Sequence, residues 1–459
     1  MIDQNTHKIK AMYDNLLGLM EKLIFVLSTD YNSDKSNDKV VQKYILGENG
    51  WSIGDIKVNE RLYSHSNIIH YMDSICDMKK SKNLFKVLLG NKFIKNPSFV
   101  DSNNNTVESP DEKSVLWSGL LHGNIFYFIS RYLDQIDTLN FDKNIFDKLY
   151  CDFESYTINE KAKFVGYIPL LNFSSDMKNT KFDNGVEIIY LEPNKREYFA
   201  NSLFYREPNT GDLCDVDGIF KSGFAFKFIF EDNKRSSLSG ESINCIVKKS
   251  EKIITALRLL KSGDLYLSNF IFSESINNFN PPLVEPLRNS IHSNFASDKY
   301  SGEIFNFNNN SDFKICNDIF KVLIEDNLDV IEIALRRFSD IYRRELSEDK
   351  IIDMAILLES ILLYGISNEL SYRFCLRGAY LLENKREKDK TFKTLGEFYR
   401  IRSNIVHGND KKNYSCEVVE VENICREIIK LIIEELHNKN SLENIIKNID
   451  KSILYKNNV

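Results

Sequence analysis

The segment Leu395–Gly408, with the sequence LGEFYRIRSNIVHG, contains residue types suited to chemistry on a phosphate. Arg402 is followed by Ser403 and Asn404 and, after four intervening residues, by His407. Histidine gains and loses a proton near neutral pH, so it can act as a general acid or base. The planar guanidinium of arginine can hold two phosphate oxygens, and an asparagine amide could orient either group.

The same segment is predicted to lie on a helix over 390–407 that Gly408 ends, since glycine is the preferred residue just past a helix. Five residues turn an ideal helix through about 500°, which leaves Arg402 and His407 about 140° apart around its axis. Within one chain, a long arginine side chain and a loosened last turn would have to bring the two groups together.

Positive charge is concentrated around this segment in a chain whose net charge is −6. Residues 371–412 contain eleven basic and five acidic side chains, and ten of the 17 arginines lie after residue 310. A local basic patch in an acidic protein is typical of contact with a polyanion at one place, and a net negative chain cannot coat nucleic acid by bulk charge. The alternative is that residues 384–393 form a solvated loop between helices. Candidate polyanion contacts are Arg373, Arg377, Arg400, Lys411 and Lys412.

The elements that must position these residues divide the 459-residue chain in two. Residues 1–310 predict a mixed α/β region, with helices over 1–30 and 112–136 and an antiparallel sheet over about 163–275. Alternating phenylalanines at the even positions from 224 to 230 indicate that one face of this sheet is buried. Residues 311–459 predict an all-helical bundle, which includes a helix over 327–345 and a helix over 349–365 that is apolar on most sides and therefore central. The fold class is α+β followed by all-α.

Other classes of protein are disfavoured by what the sequence lacks. It contains no phosphate-binding loop, no dinucleotide-binding glycine motif, no HExxH and no GxSxG. The eight cysteines form no CxxC pair, so no metal site is predicted and reduced thiols are expected. No apolar run is long enough to cross a membrane, and the N-terminus is unlike a signal peptide. A cytoplasmic protein is expected.

The segment around Arg402 and His407 resembles the Rx4–6H signature of the HEPN superfamily. Three stretches in order, ALRRFSDIYRRELSEDKIIDMAILLESILL, NELSYRFCLRGAYLLE and LGEFYRIRSNIVHG, are similar to the Apea-like HEPN domain of bacterial anti-phage proteins. The resemblance covers roughly residues 320–440. Ser403 stands where many family members carry Asn, Asp or His.

This resemblance implies a ribonuclease that needs no metal or other cofactor, built from two HEPN domains that face each other in a homodimer formed through the C-terminal domain. The RNA, tRNA or single-stranded RNA, would be cut by attack of its 2′-hydroxyl on the adjacent phosphate, with Arg402 and His407 as the catalytic residues. Ser403, Asn404 and Glu359 would support them, Glu359 as a partner of Arg402 or of Arg373 and Arg377. The basic residues named above would bind RNA.

By analogy with Apea-like proteins, the region before residue 310 would sense a trigger, either a phage component or a nucleotide. The setting would be antiviral defence by abortive infection, or a toxin. Two alternatives stay open at this point. One is a catalytically inactive HEPN module that binds RNA or nucleotide and dimerises, and the other is an unrelated helical bundle in which Arg402 and His407 only cap a helix.

Overall fold

The computed structural model describes fourteen stretches of the chain, namely residues 10–31, 38–47, 50–59, 125–136, 140–159, 161–183, 185–206, 218–233, 239–276, 283–286, 303–308, 310–325, 328–408 and 414–456. Part of the predicted helix over 112–136 and the predicted RNA contacts Lys411 and Lys412 lie outside these residues. Among the helices in the described stretches, none has the length and apolar character needed to cross a bilayer.

Aromatic side chains join the three helices nearest the start of the described chain. Tyr13 meets Tyr150 edge to face with ring centroids 4.9 Å apart, and Phe128 meets Phe146 at 5.5 Å. The apolar residues of the first helix recur every three or four positions and are buried, as an amphipathic helix requires. These helices are α1 (Lys10–Tyr31), α2 (Ile125–Gln135) and α3 (Lys143–Ile158).

A seven-stranded antiparallel sheet forms the centre of the N-terminal region and confirms the predicted sheet. Its strand order is β10-β9-β3-β7-β6-β5, with β8 paired to β3. Two further pairs stand apart, the hairpin β1–β2 and the short parallel pair β4–β11. The strands are β1 (Asp38–Gly47), β2 (Gly50–Asn59), β3 (Lys161–Leu171), β4 (Phe173–Ser174), β5 (Asn179–Lys181), β6 (Glu187–Tyr190), β7 (Phe224–Asn233), β8 (Tyr266–Leu267), β9 (Phe270–Ser275), β10 (Leu283–Pro286) and β11 (Phe305–Asn306).

Both faces of this sheet carry packed elements. Phe226 and Phe228 of β7 are buried in the main core, as their alternation predicted. The other face packs against α4 (Pro193–Arg206) through Phe199 and Phe272, whose rings stack at 4.9 Å. Asn201 of α4 accepts a hydrogen bond from the backbone N–H of Tyr44 and donates one to its carbonyl, at 3.0 and 3.2 Å. The side-chain amide therefore pairs with β1 as a neighbouring strand would.

Beyond residue 310 every regular element is helical in the described chain, as predicted. The predicted helix over 327–345 is divided, however, because a 3₁₀ turn over Asp329–Ile331 precedes a helix that already ends at Ile341. The helices are α5 (Gly240–Leu260), which precedes this region, then α6 (Asn310–Glu325), α7 (Glu332–Ile341), α8 (Ser347–Leu362), α9 (Leu370–Leu381), α10 (Lys388–Val406), α11 (Ser415–His437) and α12 (Leu442–Lys456).

Helix α8 runs through the centre of the bundle and contacts α7, α9, α10 and α11, which confirms the predicted central helix. Its apolar residues are buried, among them Leu358, which has no exposed surface. The buried carboxylate of Asp353, 1% exposed, accepts hydrogen bonds at 2.7 Å from both Arg337 and Arg344. The two guanidiniums neutralise this charge and fix the end of α7 and the turn that follows against α8.

Arg377 of α9 is buried, with 3% of its surface exposed. Its guanidinium donates to both carboxylate oxygens of Asp450 on α12, at 2.8 and 2.6 Å, and to the carbonyl of Leu362 at 2.7 Å. These partners occupy the fork of the guanidinium, which faces away from solvent. The prediction that Arg377 contacts RNA is therefore wrong, and the residue joins α9 to α8 and α12.

The N-terminal region and the helical bundle share one hydrophobic core and a buried polar junction. Arg258 of α5, 1% exposed, donates to the carbonyl of Leu265 at 2.7 Å and lies over the ring of Tyr342, 4.0 Å from its centroid. Arg426 of α11 donates to the carbonyl of Arg258 at 2.7 Å, and the Tyr342 hydroxyl donates to Glu422 at 2.7 Å. Burial lowers the pKa of Arg258 to about 10, so its charge persists at neutral pH and requires these partners.

Leu358→Ala should destabilise the protein by about 2–5 kcal/mol, because it leaves a cavity in the middle of the bundle. Leu346→Ala is the matched control, since that leucine stands just before α8 and is 62% exposed; it should change the free energy of unfolding by less than about 0.5 kcal/mol. Chemical denaturation of both variants measures the difference, and equal effects would contradict a central α8.

Arg377→Ala should cost about 2–4 kcal/mol, because it leaves Asp450 and the Leu362 carbonyl without their donor. The control is Arg373→Ala on the same helix, whose side chain is 44% exposed and lies 3.5 Å from Glu369. That ion pair faces solvent and should contribute less than about 0.5 kcal/mol. A small effect of Arg377→Ala on the melting temperature would show that the buried pair is dispensable.

Candidate functional site

The helix that carries the Arg–His segment is regular to its end. The backbone N–H of His407 donates to the carbonyl of Ser403 at 3.1 Å, which is the ordinary helical bond. Helix α10 ends at Val406, and Gly408 takes a left-handed backbone conformation with φ of +70°. Residues with a Cβ pay a steric penalty in that conformation, so the predicted glycine stop is confirmed. The last turn is not loosened.

Arg402 faces α8 and pairs with Glu359. Its Nη2 lies 3.5 Å from Oε1 of Glu359, and the two side chains are 30% and 22% exposed. Of the partners predicted for Glu359, the structure therefore brings it to Arg402, in a partly buried ion pair. One carboxylate at this distance leaves most of the five guanidinium N–H donors available to a second anion.

Tyr399 completes this group and was not predicted from the sequence. Its phenol lies beside the carboxylate of Glu359, and its ring centroid lies 5.8 Å from Cζ of Arg402. Burial raises the pKa of the Tyr399 phenol, the charge of Glu359 raises it further, and Arg402 lowers it. The phenol is therefore a hydrogen-bond donor at neutral pH. Its position one helical turn before Arg402 was the signal in the sequence that could have identified it.

His407 lies on a different side of α10 from Arg402. Its side chain is exposed, and its imidazole makes no hydrogen bond or ion pair with the residues that the structure describes. Ser403 and Asn404, the two predicted supporting residues on this helix, are partly buried between them. Because the helix is regular, Arg402 and His407 remain about 140° apart around its axis. One chain thus presents the guanidinium and the imidazole separately.

The predicted basic patch is partly neutralised. Arg386, in the turn before α10, donates to Glu427 of α11 at 2.7 Å, and Lys388 lies 3.4 Å from Glu383. Arg373 is half-exposed, beside Glu369. Arg400, by contrast, is exposed on α10.

Within the described stretches, no group of three or more His, Cys, Asp or Glu residues is placed to hold a metal ion. Arg402 offers a fixed positive charge and His407 an exposed imidazole, and Arg400 adds an exposed cation on the same helix.

Comparison with known proteins finds no matching family model, no similar curated protein and no similar solved structure.

Proposed function

We propose that this protein is a metal-independent RNA endonuclease that acts as a homodimer, in the cytoplasm, as part of a bacterial anti-phage or toxin system. The observation that carries the proposal is the contrast between the two motif residues. Arg402 pairs with Glu359 and lies 5.8 Å from the centroid of the Tyr399 ring, whereas the imidazole of His407 is exposed at the end of the same helix. A fixed cation from one copy and a solvent-exposed imidazole from another would together suit transfer at a phosphodiester.

A second copy of the chain supplies what one copy lacks. If the ends of two α10 helices face each other, the Arg402 of one copy can approach the same phosphate as the His407 of the other. The angle of about 140° between the two residues on one helix then ceases to be an obstacle. Two copies also provide two imidazoles, one to accept a proton and one to donate it.

The proposed reaction needs no group outside the protein and the RNA. The 2′-hydroxyl loses its proton to one His407 and attacks the adjacent phosphorus, and the bond from phosphorus to the 5′-oxygen breaks. The leaving 5′-oxygen takes a proton from the other His407, which yields a 2′,3′-cyclic phosphate and a 5′-hydroxyl. Arg402 stabilises the charge on the non-bridging oxygens, and Asn404 and Ser403 orient the groups. DNA lacks the attacking hydroxyl and is not a substrate.

A second candidate is a catalytically inactive HEPN module that binds RNA or nucleotide and dimerises. The observation that favours it is the Glu359 carboxylate, which already neutralises part of the Arg402 charge. In either case the N-terminal region would bind the trigger, a phage component or a nucleotide, and would transmit the effect of binding to the helical bundle.

His407→Ala should lower RNA cleavage about 100-fold or more, because it removes the proton carrier. The assay is cleavage of tRNA and of single-stranded RNA by the full chain in EDTA, with the 2′,3′-cyclic phosphate product identified by mass spectrometry. The control is His437→Ala, since His437 is likewise exposed at the end of its helix, α11. Both variants should keep the wild-type melting temperature and dimer.

Three outcomes would argue against the enzyme. Cleavage by the wild type could be lost in EDTA, His407→Ala could retain it, or a substrate with a 2′-deoxy group at the scissile position could be cut as fast as RNA. RNA binding by a wild-type protein that never cleaves would support the inactive module.

Glu359→Gln should lower the cleavage rate about tenfold with little change in KM, because Arg402 loses the charge that orients it while its own charge stays available to bind RNA. Tyr399→Phe should have a smaller effect in the same direction. Arg402→Lys keeps the charge but loses the planar fork and should be impaired more strongly than either. A faster Glu359→Gln enzyme would instead show that the carboxylate competes with the phosphate for Arg402.

A further inference from the structure

The outward face of α10 carries three cationic or titratable residues in a straight row. Lys393, Arg400 and His407 are spaced by seven residues, and seven residues make almost two full helical turns. The three therefore lie within about 40° of one another around the helix and about 10 Å apart along it. All three are exposed. Arg402 is excluded from this row because it faces α8.

Among the residues the structure describes, no carboxylate pairs with either cation of the row, whereas several of the basic residues nearby are paired. Arg377 and Arg386 form ion pairs at 2.6 and 2.7 Å with carboxylates of other helices. Lys393 and Arg400 form none, although Glu397 lies within one helical turn of each on the same exposed side. Their charge is thus available to a phosphate. The carboxylates of Glu397 and Asp389 limit the width of the positively charged surface along the row.

An aromatic pair, of which Tyr372 is exposed and Phe392 is partly buried, lies where this row begins. Tyr372 of α9 is 58% exposed, and its ring packs edge to face against Phe392, with centroids 6.0 Å apart. Phe392 immediately precedes Lys393. A tyrosine ring supported from one side and open on the other offers a face on which a nucleobase can stack.

We infer that this row is the path of the substrate, and that the substrate is single-stranded RNA. A base stacks on Tyr372, the phosphates that follow contact Lys393 and Arg400, and the strand reaches His407 at the end of the helix. Bases in a duplex are paired and stacked on one another, so they cannot reach the tyrosine ring. The inference rests on the proposed function, since it takes His407 as the place of cleavage, but it concerns binding alone.

The test is binding of a labelled 12-nucleotide 2′-O-methyl RNA to the full-length wild-type chain, followed by fluorescence anisotropy. The methyl group prevents attack by the 2′-oxygen, so binding is measured whether or not the protein cleaves. The single strand should bind at least tenfold more tightly than the same strand annealed to its complement.

Tyr372→Ala should weaken binding of the single strand about 5- to 150-fold, the range found for loss of one base-stacking aromatic, and Tyr372→Trp should restore it. Lys393→Gln and Arg400→Gln should each reduce the slope of log affinity against log salt by about 0.7. Lys314→Gln is the control, because Lys314 is exposed on α6, away from the row, and should change neither quantity. All of these residues are exposed, so the variants should keep the wild-type melting temperature.

The inference is overturned if the duplex binds as tightly as the single strand, or if Tyr372→Ala and Lys393→Gln bind like the wild type. It is also overturned if these variants separate the dimer in sedimentation experiments, because the face would then be an interface between copies. Evidence against an RNA path along this row is distinguishable from evidence against the proposed nuclease. If Tyr372→Ala leaves cleavage unchanged, the proposed nuclease is supported and the proposed RNA path along the row is not. If the single strand binds tightly but is never cleaved, the path is supported and the nuclease is not.

Discussion

Burial of α8 on nearly all sides is the constraint on which the helical region depends. A helix with so little polar surface can be stable only if other helices surround it, and α7, α9, α10 and α11 do so. The polar residues of α8 that face the surrounding helices therefore need charged or hydrogen-bonding partners there. Asp353 is neutralised by two arginines near the start of the helix, and Glu359 by Arg402 near its end. The position of the candidate site follows from this second compensation.

The two motif residues are therefore subject to different forces. Arg402 is fixed because a carboxylate emerging from the core and a half-buried phenol both interact with it. His407 stands beyond the core, where α10 ends and no described side chain contacts it by a polar bond. One chain thus provides an oriented positive charge and an exposed imidazole on different sides of one helix, and the proposed function needs a second chain to bring both to one phosphate.

Periodic apolar patterns were enough to predict the sheet and nearly all the helices, because burial of one face is what those patterns record. These patterns did not indicate that the helix predicted over 327–345 is divided. The chain turns within this range, and the turn allows Arg344 to reach Asp353. Helices α3 and α4 were not predicted. Among the described side chains of α4, over 193–201, only Phe199 and Ala200 are buried, although Pro193 at its first position was a usable signal.

Prediction of the candidate site was limited by contacts that are distant in sequence. Glu359 was predicted to pair with Arg402 or with Arg373 and Arg377, because an acid in an apolar helix needs a cation nearby, and the structure brings it to Arg402. Arg377 was assigned to the surface because a count of charges treats each one as solvated, and its partner Asp450 lies 73 residues further along the chain. Tyr399 carries no charge at neutral pH, so only its spacing from Arg402 could have indicated it.

The junction at Arg258 limits how the two parts of the chain can move relative to each other. Its guanidinium and carbonyl are bound from opposite regions, by Leu265 on one side and by Tyr342 and Arg426 on the other. Pulling the regions apart would strand a buried charge in a cavity, so a hinge opening between them is strongly disfavoured. Relative movement of the two regions is then limited to a slight shift of α5 against α11. For the same reason the helical third of the chain, separated from the rest, would expose the apolar surface that it now shares with the N-terminal region and would be expected to lose its fold.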